Sequence, residues 1–568
     1  MTKRIIYTVL AASMLISMLT ACSTSQTPAL STPETSSSVP TASAQETGTP
    51  AATPMPDGPL DKMDPPVEIK IVIGDANPTI YKYAEGVTFE KNLWTDICRD
   101  KLGINIKVLW GVTPDQYDQK LNLTIASGEL PDVMTVNVAQ YEQLVEADAI
   151  IEINQLLDKY ALPGIKKILA NQDVVNITKR NGKLYALPVV VNPYESTQIL
   201  FLRKDWLTNL NLTVPKTMDE LLAVIEAFSS NDPDKNGTDD TYGLALTKDF
   251  NLKAFFSGYH AYPNIWVKDS SGALVYGSIL PEVKTALGSL QKLYQTGAIS
   301  KDFAVIDDNK VAEDLTSGKV GVYLADWWAP GWPLQQTMDK DPNAEWVALA
   351  PVSIDAQPAL SQVAKCKISS YNVISKTCKH PEAIVKMINT QYNIIWNPDS
   401  NDIYNADFMD PQTYGWNAGW TGISIGSGDP DGLVLETKLM MEAFKSGDLK
   451  NVPGPDKSRV EGAWKYTKEN KRDQWFWFYD FVADEGSWGV IHGLIDKDQY
   501  MYDEFYGQPT TTMVEKGEVL GKRQLEFFQK IVMGESIDNF DTFVSEWKSL
   551  GGNAMTSEVN DWYTNISK

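Results

Sequence analysis

The segment that decides the fold is VEIKIVIGDANP, residues 67–78. Its first seven residues alternate apolar and polar side chains and then become apolar, which predicts a β-strand, and the Gly, Asn and Pro that follow predict its end. A helical stretch comes next, with Phe89, Leu93 and Ile97 at helical spacing and Gly103 as its stop. A strand followed by a helix is the first half of a βαβ unit.

The same pattern continues along the chain. Residues 104–110 predict a strand, 115–126 a helix and 132–138 a further strand. Later, Thr217 and Glu220 stand at the spacing of a capping box, in which the Thr oxygen accepts the Glu amide N–H and the Glu side chain returns to the Thr. Strands that alternate with helices at these intervals predict an α/β fold around mostly parallel sheets.

Composition narrows the class of protein. The chain has 568 residues, more than the roughly 250–300 at which a single hydrophobic core stops growing, so two or more lobes are expected. Its formal net charge of −23 argues against nucleic acid as a partner. Three histidines, widely spaced, do not form a zinc-binding pattern. Beyond the N-terminal region the chain has three cysteines (Cys98, Cys366 and Cys378), an odd number that excludes a full disulfide framework.

The N-terminus has the pattern of an export signal. Lys3 and Arg4 precede the apolar run 5–19, which is too short to span a bilayer of roughly 30 Å as a helix. The run ends in Leu-Thr-Ala-Cys at residues 19–22, which resembles the lipobox of bacterial lipoproteins. This resemblance implies that residues 1–21 are a signal peptide and that Cys22 is lipidated. The protein is then expected on the extracellular face of the cell membrane, held there by acyl chains alone.

Residues 22–66 are predicted to be a disordered tether. Of the 44 residues from 23 to 66, 31 are Ser, Thr, Pro, Ala or Gly, and none is aromatic. Such a stretch cannot bury enough apolar surface to offset the entropy of ordering it. The folded body is therefore expected to begin at residue 67.

At this point the chain resembles a known family, the extracellular solute-binding proteins of bacterial ABC importers (family 1), and within it the large lipoprotein branch of saccharide importers. The resemblance follows family order along nearly the whole chain. It is carried by IGDANP (73–78), YDQKLNL (117–123), ASGELPD (126–132), NGKLYALP (181–188), LRKDWL (202–207), GVY (321–323) with Trp327 and Trp328, and SEVNDWY (557–563).

The resemblance implies a two-lobed, periplasmic-binding-protein-like clamp of α/β lobes with a ligand cleft between them. Lobe 1 is expected to comprise residues 67–190 and 366–480, and lobe 2 residues 191–365 and 481–568. It also implies a monomer that binds an oligosaccharide and works with ABC permease subunits and a cytoplasmic ATPase, without chemistry on the ligand.

A candidate calcium site lies in DPDKNGTDD, residues 232–240. Calcium takes six to eight oxygen ligands, which a tight loop with acidic residues at alternate positions can supply. The expected ligands, at loop positions 1, 3, 5, 7 and 9, are Asp232, Asp234, Asn236, the Thr238 carbonyl and Asp240. Position 12 is Gly243 rather than the Glu of a full EF-hand, and an Asp/Asn/Gly-rich turn without metal is the alternative. A bound Ca²⁺ is expected to have a structural role.

The aromatic content, with 17 Trp, 24 Tyr and 17 Phe, fits a sugar site, because sugars present flat C–H faces between hydroxyl groups. The predicted ligand-binding residues are Asp326, Trp327 and Trp328 after the strand 320–324, Asp75 and Asn77 after the first strand, and Tyr194 near the first passage between lobes. The position of the two Trp residues resembles that of the stacking Trp in maltose-binding-type receptors.

Two other functions stay open at the level of the sequence. A secreted carbohydrate-degrading enzyme needs a pair of carboxyl groups, which 73 acidic residues cannot identify, and the sequence has no G-x-S-x-G, HExxH, P-loop or Rossmann motif. A receptor for peptides, or a surface adhesin, would share the fold and differ in its ligand.

Overall fold

A computed structural model describes residues 58–74, 83–180, 182–396, 405–408, 413–424, 432–452 and 454–566. The predictions for the signal peptide, for Cys22, for most of the tether and for Asp75 and Asn77 lie outside these residues. Two groups of strands, each covered by helices, organise the described chain into two lobes.

The strands of the described residues are β1 (Val67–Ile73), β2 (Ile104–Gly111), β3 (Val133–Val136), β4 (Lys179–Arg180), β5 (Lys183–Leu184), β6 (Ala186–Val191), β7 (Ile199–Arg203), β8 (Tyr242–Leu244), β9 (Trp266–Lys268), β10 (Leu274–Tyr276), β11 (Val320–Ala325), β12 (Trp346–Leu349), β13 (Ser361–Ala364), β14 (Lys367–Ile374) and β15 (Tyr500–Asp503).

The α-helices of the described residues are α1 (Leu93–Ile97), α2 (Pro114–Ser127), α3 (Val138–Glu146), α4 (Asn154–Tyr160), α5 (Pro163–Ile168), α6 (Gln172–Thr178), α7 (Lys204–Asn209), α8 (Met218–Ser230), α9 (Lys253–Ser257), α10 (Pro281–Gln295), α11 (Asp308–Thr316), α12 (Gln335–Lys340), α13 (Pro381–Trp396), α14 (Asn405–Phe408), α15 (Tyr414–Gly419), α16 (Gly432–Ser446), α17 (Gly454–Glu469), α18 (Trp475–Trp477), α19 (Ser487–Asp496), α20 (Thr511–Val532), α21 (Asn539–Trp547) and α22 (Asn553–Ile566).

The first lobe is built on β2, β1, β3, β14 and β6. Strands β1 and β2 pair in parallel, as the βαβ pattern predicts. Asp132, just before β3, links the two parts of the lobe, because its backbone N–H donates to the Lys70 carbonyl (2.9 Å) and its carboxylate accepts the Lys70 N–H (2.7 Å). Strand β14 runs antiparallel to both β3 and β6. The lobe thus combines one parallel sheet with one antiparallel sheet rather than a mostly parallel sheet, because the chain enters β14 on its return from the other lobe.

The second lobe is built on a four-stranded sheet in the order β12-β7-β11-β8. Strand β7 is antiparallel to β11 and β12, and β11 is parallel to β8. Successive side chains of β7 point to opposite faces. Leu200 and Leu202 pack with α8, α10 and α20, whereas Ile199 and Phe201 pack with α11, α16, α17 and α19. Every residue of β7 is buried, because helices cover both faces of this sheet.

The helix-end signals of the sequence are largely confirmed. Thr217 Oγ1 accepts the backbone N–H of Glu220 at 3.2 Å, which caps α8. The Glu220 carboxylate, however, accepts the N–H of Lys216 (2.7 Å) rather than that of Thr217. Helix α10 begins at Pro281, and Gly297 takes a φ of 82° just beyond its end. That left-handed conformation carries little strain in a glycine.

The predicted tether extends too far at its C-terminal end. Met63 is 3% exposed, and its backbone N–H donates to the Leu102 carbonyl at 2.7 Å. The buried ammonium group of Lys386 in α13 donates to the carbonyls of Gly58 (2.6 Å) and Asp61 (2.8 Å). Residues 58–66 therefore belong to the first lobe, because a buried charge needs these carbonyl oxygens as partners.

The structure also changes the assignment of residues 432–480, which the sequence placed in the first lobe. Val434, Met440, Val460 and Trp475 pack in one core with β7 and β11 of the second lobe. The hydrophobic core of the first lobe, by contrast, includes residues only up to Ile423. Residues 432–480 therefore belong to the second lobe rather than to the first.

Two further features concern cysteines and membranes. Cys98, Cys366 and Cys378 are free thiols in the structure. Within the ranges that the structure describes, no helix combines the length and the apolarity needed to cross a bilayer.

Candidate functional site

The candidate site lies where strands of both lobes end. Ala325, the last residue of β11, pairs with Ile199, the first residue of β7. Asp326 therefore leaves the sheet at the edge where the chain enters from the first lobe. The C-terminal ends of β8 and β12 reach the same edge. In open α/β sheets, ligands bind beyond strand ends of this kind.

Asp326 has a polar atom without a partner. Its Oδ1 atom is buried and has no hydrogen-bond partner among the described residues. Burial raises the pKa of the Asp326 carboxyl, and the positive charges of Lys253 and Lys367 oppose that rise. An unpaired buried oxygen costs free energy unless a ligand or water donates a hydrogen bond to it. Asp326 is thus an open acceptor at the sheet edge.

Two lysines surround this carboxylate and come from different lobes. Lys253 begins α9, and its Nζ donates to the Ser196 carbonyl at 3.2 Å. Burial lowers the pKa of Lys253, whereas the charge of Asp326 raises it. Lys367 is the first residue of β14 in the first lobe. The electrostatic environment of Asp326 therefore depends on both lobes.

The two adjacent tryptophans have different surroundings. Trp327 is half-buried and packs edge-on against Phe481, with ring centroids 5.4 Å apart, and lies 6.1 Å from Trp488. Trp328 is 41% exposed and stacks on Trp332, with centroids 6.2 Å apart and planes at 25°. Trp327 thus belongs to the core of the second lobe, while Trp328 offers an aromatic face to a ligand.

A recess of about 70 Å³ lies beside Trp328 and Asp326. Its lining also includes Thr247 and Asn251 from the loop after β8, and Asp308 at the start of α11. The sequence analysis missed these three residues. For Thr247 and Asn251 a signal was present, because the loop after β8 follows a strand that ends at the same edge of the sheet. The recess combines an aromatic face with hydroxyl, amide and carboxylate groups.

Tyr194 has its polar atom satisfied. It lies in the helical turn Pro193–Ser196, and its hydroxyl oxygen is 3.2 Å from that of Tyr502. Its ring packs against Tyr500 at 4.9 Å. Tyr194 is therefore engaged with β15 of the second lobe and is not brought into the recess beside Asp326.

The loop predicted to bind calcium is held together by its own hydrogen bonds. The Asp232 carboxylate accepts the backbone N–H groups of Asn236 (3.0 Å) and Gly237 (3.1 Å). The Asn236 amide nitrogen donates to Asp234 (2.8 Å) and Asp240 (3.2 Å). Thr238, whose backbone carbonyl is the fourth expected ligand in chain order, lies in the same loop.

The donor types of this loop fit a hard cation. Burial, and then the charges of Asp240 and Asp232, raise the pKa of the Asp234 carboxyl, so the three carboxylates repel one another. A cation would relieve that repulsion. As described, no group of three or more acidic, His or Cys side chains in the covered ranges is arranged around a metal position.

Comparison with known proteins places this geometry in context. The family model of bacterial extracellular solute-binding proteins matches residues 82–393, more than half of the chain. The polygalacturonan/rhamnogalacturonan-binding protein YtcQ of Bacillus subtilis (strain 168) is 35% identical over 227 residues, which are 39% of this chain and 43% of that protein. Lipoprotein LipO of the same strain is 33% identical over 231 residues, 39% of this chain and 44% of LipO. The matches thus span less than half the length of these relatives.

Among solved structures, the substrate-binding protein FusA of Streptococcus pneumoniae in complex with kestose has a similar fold. The two structures superimpose with a TM-score of 0.61 at 18% identity, over 88% of this chain and 99% of that chain. The fold is therefore the two-lobed, periplasmic-binding-protein-like clamp with a cleft between its lobes.

Proposed function

This chain belongs to the family of bacterial extracellular solute-binding proteins, and from that premise we propose that it captures an oligosaccharide in the cleft and delivers it to an ABC permease with a cytoplasmic ATPase. The observation that carries the ligand class is the unpartnered Asp326 Oδ1 atom beside the exposed ring of Trp328. A sugar has both complements, a hydroxyl group that donates and a C–H face that stacks.

Binding would work through the two lobes. Asp326 and Lys253 belong to the second lobe and Lys367 to the first, so a ligand that bridges them favours the arrangement in which the lobes are close. Such a ligand shifts the population toward a closed form, which the permease recognises. No covalent step on the ligand is needed.

Among saccharides, acidic ones are the first to test. Two ammonium groups, Lys253 and Lys367, face one carboxylate at the cleft edge. The relative YtcQ is named for binding polygalacturonan and rhamnogalacturonan, polymers that carry uronic acids. FusA was solved with kestose, so neutral fructose oligomers form the second arm of the test.

The direct experiment is a titration of the purified chain with oligogalacturonides, kestose and a mixture of peptides, followed by calorimetry and thermal unfolding. A ligand at about 100 times its Kd stabilises the folded state by roughly 2.7 kcal/mol, which a thermal shift resolves. A shift with any oligosaccharide supports the proposal. A shift with peptides alone overturns it, and release of reducing ends from the oligosaccharides would indicate an enzyme instead.

We also propose that the protein is a monomer held at the extracellular face of the membrane by acyl chains on Cys22. The lipobox-like sequence before Cys22 supports this, as does the relative LipO, which is named a lipoprotein. Labelled palmitate should enter the wild-type protein in cells, and a Cys22→Ser variant should stay unlabelled. Label in the variant would refute the assignment of Cys22.

Calcium in the loop 232–240 is a further proposal, with a structural role. Asp232, Asp234 and Asp240 would supply carboxylate oxygens, and Asn236 and the Thr238 carbonyl the remaining protein ligands. Since the Asn236 nitrogen now points toward two carboxylates, its amide must rotate to offer oxygen. Addition of Ca²⁺ should raise the melting temperature of the wild-type protein and leave an Asp232→Asn/Asp234→Asn variant unchanged. An equal response of both proteins would exclude this loop.

A further inference from the structure

A second cavity, of about 210 Å³, lies in the second lobe between α20 and two loops. Its walls include three phenylalanine rings, Phe250, Phe256 and Phe528. Their centroids are 5.8–6.2 Å apart, so the rings form one apolar surface. The cavity exceeds the roughly 150 Å³ of an engineered protein cavity that binds benzene. It therefore has room for a single ring with a substituent.

This cavity is separate from the recess beside Asp326. Both use the loop between β8 and α9, but they use different residues of it. Thr247 and Asn251 line the recess, whereas Asp249 and Phe250 line the second cavity. A ligand in the cavity would thus not occupy the proposed saccharide site, and the inference does not rest on the proposed function.

The cavity contains a buried polar atom without a partner. Gln524 of α20 is only 6% exposed. Its Nε2 donates to Asn264 Oδ1 at 2.7 Å, which fixes the orientation of the amide. Its Oε1 is buried and has no hydrogen-bond partner in the described part of the chain. A ligand hydroxyl or amine could donate to this oxygen and remove the cost of leaving it unpaired.

Gly521 lies at the solvent-exposed side of the cavity. Gly521 lies inside the 22-residue helix α20, where glycine costs about 1 kcal/mol relative to alanine. A Cβ atom built there meets no atom within 4 Å, although the residue lines the cavity. Since the residue is exposed and has no close neighbour, a methyl group is accommodated here without a clash, and a bulky side chain stands at the open side of the cavity.

Each of the two loops at the cavity contains a residue with a positive φ, which is strained in Phe250 and tolerated in Asn264. Phe250 has a φ of 57° and Asn264 a φ of 69°. A bulky residue such as Phe rarely adopts a positive φ, and such strain of roughly 1–3 kcal/mol persists where the surroundings impose it, often at ligand sites. In Phe250, the strained backbone places the ring against Phe256 and Phe528.

We propose that this cavity is a second binding site, for a small amphipathic molecule that joins one apolar ring to one hydroxyl or amine donor. The ring lies among the three phenylalanines, and the donor binds Gln524 Oε1. Asp249 at the lining adds a carboxylate that favours ligands with a donor over ligands with an acceptor. Phenol is the simplest probe with this chemistry. Toluene is the matched control, because a methyl group replaces the hydroxyl group and cannot donate a hydrogen bond.

The test is a titration of the purified full chain with phenol and with toluene, followed by ligand-observed NMR. Phenol is expected to bind at least fivefold more tightly than toluene. In Gly521→Leu, which places a bulky side chain at the open side of the cavity, phenol affinity should fall at least tenfold, while Gly521→Ala, with one added methyl group, should stay within threefold of wild type. Circular dichroism checks that both variants are folded.

A Gln524→Leu variant supplies an independent measurement. Here the preference for phenol over toluene should disappear, because the acceptor oxygen is gone. Equal binding of phenol to Gly521→Leu and wild type would overturn the proposal, and so would equal affinity of the wild-type chain for phenol and toluene. Saccharide titrations of the same variants report separately on the cleft.

Discussion

The loop 326–332 and the segment 500–508 resemble each other in composition and differ in their hydrogen bonds. Each contains an aspartate in a partly buried setting and several aromatic side chains, and each lies close to the first lobe. Asp326 Oδ1 has no partner, whereas Asp503 Oδ1 accepts the backbone N–H groups of Trp266 (3.0 Å) and Phe505 (3.1 Å). Trp328 is exposed, whereas the Tyr506 hydroxyl donates to Asp173 at 2.9 Å.

The difference separates a candidate binding site from a connection between the lobes. In the segment 500–508, the amide of Gln508 also donates to the Ile177 carbonyl (3.1 Å) and to the Tyr371 hydroxyl (3.3 Å). These bonds join the segment to the first lobe, although the Oε1 atom of Gln508 itself is buried without a partner among the described residues. Judged by aromatic and acidic composition alone, both segments would be candidate binding sites. Both segments also contain a buried acceptor without a partner among the described residues, Asp326 Oδ1 and Gln508 Oε1, and only the loop 326–332 combines such an acceptor with an exposed aromatic ring.

The largest expected effect concerns Asp503. Burial raises its pKa to about 7, so between pH 4 and 7 the folded state keeps a proton that the unfolded state has released. This contribution to stability is present at low pH and is lost as pH rises to 7. Asp503→Asn removes the effect and keeps an acceptor oxygen. Relative to wild type, its free energy of unfolding should rise by about 3–4 kcal/mol from pH 4 to 7, as measured by urea unfolding.

Phe505→Ala is the matched control for Asp503→Asn, since it perturbs the same segment without removing a titrating group. Its difference from wild type should stay constant across this pH range. A constant difference for Asp503→Asn as well would show that Asp503 titrates normally and that the segment is less buried than described.

The next effect concerns Asp326. Asp326→Ala should weaken saccharide binding about 30- to 100-fold, because a hydrogen bond to a charged group contributes roughly 2–3 kcal/mol. Since burial raises the pKa of Asp326, wild-type affinity should also fall as the pH is lowered, and Asp326→Asn should lack that dependence. Calorimetry at several pH values measures both. Asp484→Asn, which removes an exposed carboxylate paired with Lys445, is the control. Unchanged affinity in Asp326→Ala would remove the loop from the site.

A smaller effect is expected for Trp328. Trp328→Ala should reduce saccharide affinity about tenfold, or roughly 1.4 kcal/mol, through loss of the stacking face. Its melting temperature should change little because the ring is already 41% exposed. Leu435→Ala, a truncation of another exposed apolar residue (51%), controls for surface effects. If both variants bind the saccharide like wild type, the aromatic platform lies elsewhere.

The smallest effect concerns Tyr506. Tyr506→Phe removes the hydrogen bond to Asp173 and should lower the free energy of unfolding by about 1 kcal/mol. Saccharide affinity should stay within threefold of wild type. A loss of affinity as large as in Asp326→Ala would show that the segment 500–508 takes part in binding and would end the contrast between the two regions.

Much of the local structure could be predicted from the sequence. Period-two and helical patterns identified β1, β2, α2 and α8, and the motif after β11 marked that loop as a candidate site. Predictions failed where distant residues decide. Composition assigned residues 58–66 to a tether, but Lys386, 328 residues from Gly58, supplies the partner that orders them.

The candidate site shows the same limit. Trp327 and Trp328 are equivalent in the sequence, and only the packing of Phe481 and Trp488 against Trp327 distinguishes them. Residues 432–480 contain ordinary amphipathic helices, and their apolar faces could cover either lobe. These helices cover the second lobe, because their apolar residues pack in one core with β7.

The sequence by itself determined the alternation of strands and helices, several helix ends and the family of the chain, because these depend on side-chain spacing within a few turns or on motifs in order. Tertiary structure alone decided that residues 58–66 pack on the first lobe, which helices cover which sheet, which tryptophan is exposed and which buried oxygens lack a partner. The physical reason is that burial and hydrogen-bond satisfaction depend on contacts between residues far apart in the chain, which no local pattern records.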